Sequence, residues 1–138
     1  MSVFRSDRTG AAVAVGPLEG EILEVLWDRG GMVGVPDAHR ALNESGRTIS
    51  YSAVKAVLNN LADKALVRKE KRGKVTHFEA AQTRDQFNSS VIGDVIRSLK
   101  RNYGRPVIAQ FVDELAIDEK SIDEFERLIA ERKKDLGR

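Results

Sequence analysis

The residues of this chain whose types could do chemistry cluster between positions 48 and 80. Tyr51, Ser52, Lys55, Asn59 and Asn60 offer hydroxyl, ammonium and amide groups able to bond phosphates and base edges. They fall opposite an apolar set, Val54, Val57, Leu58 and Leu61, that belongs on the buried face of one helix. Ser50 can accept the free amide hydrogens of that helix's first turn. Taken alone, such a polar face is equally the solvated side of an ordinary helix. The next segment tips the balance. Residues 66–70 and 74–78 read as two short strands about Lys71, Arg72 and Gly73, with glycine supplying the turn's backbone freedom. Arg47, Lys55, Lys64, Arg68, Lys69, Lys71, Arg72 and Lys74 stand against only Asp63 and Glu70, a local charge of +6 where the whole chain carries +2. Positive charge concentrated on a hairpin beside a polar helix face is the electrostatic footprint of nucleic-acid binding, because each phosphate contact releases condensed counterions.

No competing chemistry emerges elsewhere. The chain has no cysteine, so it offers no disulfide framework, thiolate metal site or cysteine redox switch. His39 and His77 fall on different elements with no paired ligand at helical spacing, so no metal and no cofactor are expected. There is no Gly-rich phosphate loop, nucleophile elbow or metalloprotease helix, and the carboxylates from Asp113 to Glu126 suit helix starts and solvated faces. An enzyme is not expected. No apolar run approaches the length of a membrane span, and the stretch 11–15 is too short for a secretory signal, which makes the cytoplasm the default compartment.

The elements that must position the polar helix are legible on both sides of it. Residues 1–16 lack periodicity and read as a loose tail, in which Arg5 and Arg8 oppose Asp7 and could form a weak basic arm. Pro17 suits the first turn of a helix whose Leu18, Ile22, Val25 and Leu26 trace one face before Gly30 and Gly31 end it. Trp27, the sole tryptophan, is expected as a packing anchor. Val35, Ala38 and Leu42 mark a second short helix that Pro36 can open and residues 44–46 close. Three short helices, the third polar on one side and followed by a hairpin, follow the winged-helix order, with the third helix entering the major groove. Further on, Thr83 can cap a helix with the stripe Phe87, Val91, Ile92, Val95, Ile96 and Leu99. Val107, Ile108, Phe111, Val112 and Leu115 make a second apolar face, and Ile122, Phe125, Leu128 and Ile129 a third, opened by Asp118 or Ser121. Three helices in so short a stretch bury little alone, and a two-fold dimer is the commonest completion.

Three segments carry a specific resemblance: LEGEILEVLWDRG, VPDAHRALN and YSAVKAVLNNLADKALVRKEKRGKVTHFEA. Over residues 18–132 the chain resembles the BlaI/MecI/CopY family of bacterial penicillinase, methicillin-resistance and copper-efflux repressors. The resemblance implies a winged-helix repressor that binds a palindromic operator as a dimer through interlocked C-terminal helices. It also implies release by a sensor protease, which in the penicillinase and methicillin repressors cuts an Asn-Phe bond in the dimerisation lobe. The corresponding pair here is Gln110-Phe111, matching at the second residue only. The copper branch depends on a C-terminal cysteine motif, which this cysteine-free chain lacks.

The expected architecture is mainly α with a small β-hairpin wing: a tail over 1–16, a winged helix-turn-helix over 17–80 and a three-helix dimerisation lobe over 81–138. Tyr51, Ser52, Lys55 and Asn59 are expected on DNA from the helix, and Lys71, Arg72 and Lys74 from the wing. Phe87, Val91, Val95, Leu99, Ile108, Phe111, Leu115, Phe125 and Leu128 are expected to serve dimerisation. The expected partners are double-stranded operator DNA, a second copy of the chain and a sensor protease, with no membrane. Two alternatives stand beside repression: a module docking an acidic protein, and a transcriptional activator.

Overall fold

The computed structural model describes residues 15–44, 46 and 48–137. The expectations for residues 1–14, including the basic arm, and for Ser45 and Arg47 lie outside the described residues. The elements run α1 (Pro17–Arg29), β1 (Val33–Gly34), α2 (Val35–Asn43), α3 (Tyr51–Asp63), β2 (Val67–Arg72), β3 (Val75–Ala80), α4 (Arg84–Tyr103), α5 (Pro106–Leu115) and α6 (Glu119–Leu136). The chain divides into two compact units, Met1–Val95 and Ile96–Arg138. The first therefore continues past the wing and takes in the opening turns of α4.

Within the first unit, each helix begins and ends for a local reason. Pro17 and Pro36 occupy first turns, where a missing N–H costs nothing. Ser50 caps α3 by accepting the Ala53 N–H at 3.2 Å. The end of α3 is a left-handed stop: Ala65 takes φ 62°, Ala65 N–H bonds the Ala62 carbonyl and Leu66 N–H the Leu61 carbonyl. One face of each helix then meets the others in a shared core of Ile22, Leu23 and Leu26 from α1, Ala38 and Leu42 from α2, and Val54, Leu58 and Leu61 from α3. Val67 and Phe78 seal it from the sheet.

The sheet departs from the expected hairpin in two ways. It has three antiparallel strands in the order β1-β3-β2, because Val33 and Gly34 pair with Phe78 and His77. A pair that short carries no strand signal of its own. Gly34 packs closely on β3, where a Cβ would stand in contact with His77 Nε2 and Val75 Cγ1 at 3.4 Å each. The wing strands also run nearer the tip than expected, with Arg72 opposite Val75, so the loop is only Gly73 and Lys74. Gly73, at φ 65°, takes the first of two loop positions, which suits the twist of a tight hairpin.

After the sheet, α4 opens with a reciprocal cap. Thr83 Oγ1 accepts the Gln86 N–H at 3.1 Å, and Gln86 Oε1 accepts the Thr83 N–H at 2.9 Å. This places Phe87 in the winged core, 5% exposed, with its ring centroid 5.5 Å from that of Trp27. Phe87 is thus committed to the chain's own interior rather than held available on the face expected for dimerisation, and Val91 packs beside it half-buried.

The second unit has a different character. Neither α5 nor α6 buries a residue. Ile108, Val112, Leu115, Ile122, Leu128 and Ile129 are each between 44% and 62% exposed. Asp118 caps α6, its carboxylate accepting the Ser121 N–H at 2.8 Å. Bonds from the Ser121 amide and hydroxyl hold that carboxyl below its ordinary pKa.

Candidate nucleic-acid interface

The site is built by two elements that one side chain registers against each other. Asn43, at the end of α2, donates through Nδ2 to the carbonyls of His39 (2.7 Å) and Ile49 (3.1 Å), while its Oδ1 accepts the Ile49 N–H at 2.7 Å. His39 Nε2 bonds the same Ile49 carbonyl at 2.9 Å, and its ring meets Tyr51 edge-on at 5.6 Å. The turn before α3 is therefore tied to α2, and the start of α3 is fixed. With Val54, Leu58 and Leu61 buried, Tyr51, Ser52 and Lys55 are left exposed and Asn59 half-exposed. Tyr51 keeps 45% of its surface in solvent.

The wing adds a second wall. Strand alternation sends Val67, Lys69 and Lys71 to one face and Arg68, Glu70 and Arg72 to the other. Val67 is buried, so Lys69 and Lys71 share the face that looks toward α3; they pair in register with Phe78 and Thr76. Between wing and helix lies a groove of about 340 Å³ lined by Lys55, Asn59, Lys69, Lys71 and Thr76, with Phe78 at its floor. Lys69 Nζ donates to Asn59 Oδ1 at 3.4 Å across it. Among the described residues no carboxylate lies in ion-pair distance of Lys55, Lys69, Lys71 or Lys74. The outer face is different: Arg68 pairs with Glu79 at 2.6 Å and Arg72 with Glu70 at 3.5 Å.

Of the residues expected on DNA, the structure brings Lys55, Asn59 and Lys71 to one groove, with Tyr51 and Ser52 at the exposed start of the same helix. Lys74 sits in the wing loop, and Arg72 lies on the outer face against Glu70. Lys69 and Thr76 were not singled out from sequence. The signal that could have found them is the period of two counted from Val67 and Phe78, which needs the strand register to be known. Among the described residues no cluster of three or more metal-ligating side chains occurs, and no helix is long and apolar enough to cross a membrane.

A third cluster ties α4 to α1. Arg84 reaches Glu24 Oε2 through Nε (3.0 Å) and Nη2 (2.7 Å) and Asp28 Oδ1 at 2.9 Å. Its guanidinium carbon lies 5.5 Å from the Trp27 ring centroid. Asp28 and Glu24 hold the guanidinium above its ordinary pKa.

Residues 15–131 match the model of a family described as Penicillinase repressor. Transcriptional regulator BlaI of Mycobacterium tuberculosis, in the CDC 1551 / Oshkosh and H37Rv strains, is 27% identical over 118 residues, covering 85% of this chain and 83% of the relative. Among solved structures, RosR of H. salinarum aligns with a TM-score of 0.48 at 18% identity, over 90% of this chain and 98% of that one. A structure of HOP2 domains for DNA recognition and protein interaction aligns with a TM-score of 0.42 at 22% identity, over 46% of this chain and 97% of that one.

Proposed function

The chain belongs to the penicillinase repressor family of winged-helix transcriptional regulators, and on that premise we propose that it is a dimeric repressor whose α3 and wing hold operator DNA. The observation that carries this reading is the groove between α3 and the inner wing face, where cations without carboxylate partners stand beside the amide of Asn59. Placed in a major groove, α3 offers Ser52, Lys55 and Asn59 to base edges and phosphates, with Tyr51 at its start. Lys69, Lys71 and Lys74 then meet the phosphates of the adjoining strand, and Arg72, on the outer face, can contribute only from the wing's edge after it leaves Glu70.

Dimerisation rests on the second unit. An isolated helix of the length of α5 is marginal in water, and neither α5 nor α6 has a fully buried residue. A second copy covering Val95, Leu99, Ile108, Phe111, Leu115, Phe125 and Leu128 supplies the missing core, and two-fold pairing matches a palindromic operator. Repression is then steric, by occupation of a promoter.

The test is binding of the purified full chain to the DNA upstream of its own gene, with competitor DNA, a salt titration and a stoichiometry. Two chains per site with strong preference over competitor are expected. Salt-sensitive binding without preference would reduce the protein to a nonspecific DNA binder, and no binding would favour docking to an acidic protein.

A further inference from the structure

Asn59 supplies the one amide of the groove between α3 and the wing, and what it can read depends on which way it is turned. A free asparagine offers an acceptor and a donor side by side, the pair that fits adenine, whose N6 amino group donates and whose N7 accepts. Here the amide is held. Lys69 Nζ, reaching over from the inner face of the wing, donates to Asn59 Oδ1 at 3.4 Å. An ammonium has only hydrogens to offer, so an amide beside it must turn its oxygen toward it. Strand register makes the arrangement, since Lys69 lies opposite Phe78 on the strand face that looks toward α3. Lys55 and Lys71 line the same groove without bonding the amide, and among the described residues Asn59 Nδ2 donates to nothing. The carbonyl end of Asn59 is thus engaged and its amino end is unspent.

We infer that Lys69 is a positioning residue for sequence specificity: it holds the Asn59 amide as a donor, and Asn59 therefore selects a keto base, guanine or thymine, over adenine. The inference rests on the DNA-binding reading above. Guanine carries an acceptor, O6, where adenine carries its amino group, and thymine presents O4, so each can take a hydrogen from Nδ2. Oδ1 retains a second lone pair, but an adenine amino group brought to it would stand beside the Lys69 ammonium, donor against donor. Asn59 follows Lys55 by one turn on the same stripe of α3, so a helix that brings Lys55 to the major groove brings Asn59 with it. Lys69 has three hydrogens, and the one spent on Asn59 leaves two for a phosphate. The wing thereby acts on the choice of sequence as well as on affinity, without touching a base itself.

The test is selection of duplexes from a randomised pool by the purified full chain, with sequencing of those retained. It is run for the unsubstituted protein and for Asn59→Ala, Lys69→Met, Lys69→Arg and Lys71→Met. The base position whose preference Asn59→Ala erases is the one Asn59 reads. There the unsubstituted chain is expected to favour guanine or thymine over adenine. Lys69→Arg should keep that preference, because a guanidinium too is only a donor, and Lys69→Met should lower it about fivefold or more. Lys71→Met should weaken binding to all sequences alike and leave the preference standing, which separates orientation of the amide from loss of charge. Helix content and Trp27 fluorescence identify any variant that has lost its fold. Adenine favoured at that position by the unsubstituted chain overturns the inference. An unchanged preference in Lys69→Met does the same, as does an equal loss in Lys71→Met or a selected sequence that Asn59→Ala leaves unaltered. Failure of the unsubstituted chain to enrich any sequence overturns the operator reading itself, and this inference with it.

Discussion

Cations in this chain differ less in number than in company. Lys55, Lys69 and Lys71 line a groove without a carboxylate, while Arg68 and Arg72, one residue out of phase on the same strand, are paired with Glu79 and Glu70. A free ammonium gains its full counterion release on a phosphate; a paired guanidinium must first give up its partner. Lys55→Ala and Lys69→Ala are therefore each expected to lower the slope of log binding against log salt by about 0.9, with Arg72→Ala lowering it by less. Equal slopes for the Lys69 and Arg72 variants would show that the face of the wing does not matter. In the core, Leu58 is fully buried under α3. Leu58→Ala should cost about 2–5 kcal/mol in denaturant unfolding, through lost burial and the cavity left behind.

At the scale of elements, two helix ends carry testable chemistry. Ala65 holds a left-handed conformation that L-residues adopt at a cost, so Ala65→Gly should stabilise the chain by about 0.5–1 kcal/mol, read as a raised denaturation midpoint. The same substitution would destabilise an ordinary helical position. Asp118 caps α6 as a carboxylate whose folded pKa lies below its ordinary value. Its contribution is fully present above the ordinary carboxylate pKa and is lost as pH falls through the lower folded value. Acid titration of helix content should include this loss, and Asp118→Asn, which still caps but does not ionise, should remove that component. If the titration is unchanged by Asp118→Asn, the cap is not the acid-sensitive group.

For the whole molecule, the contrast between the units governs expectation. The first has a closed core, and α5 and α6 of the second leave Ile108, Val112, Leu115, Ile122, Leu128 and Ile129 largely in solvent. Leu128→Asp or Leu115→Asp should shift sedimentation toward the monomer and weaken operator binding far more than binding of a single half-site, since the loss is one of avidity. Unaltered sedimentation would remove these residues from the proposed interface. The Gln110-Phe111 bond lies inside α5, where Gln110 Nε2 donates to Glu114 at 3.0 Å. A protease can reach it only if that helix opens locally, and α5 has no buried residue to oppose opening. Incubation with a cognate sensor protease is expected to cut there and release α6; an intact chain would exclude proteolytic release.

The periodicities of this chain were enough to order the helices, place the wing and locate a basic surface. Each of those is a local property: Ser50, Thr83 and Asp118 cap the helices that follow them, and Val54, Leu58 and Leu61 declare a buried face by spacing alone. Family membership was equally legible, because recognition-helix and hairpin residues are contiguous. Tertiary structure decided what depends on distant partners. The pairing of Gly34 with His77 comes from residues far apart in the chain, and so does the burial of Phe87 against Trp27. The choice of Lys69 over Arg72 for the groove turned on strand register, where a shift of one residue exchanges the two faces. Sequence could count the charges, but only the fold could set them against a carboxylate or leave them free for a phosphate.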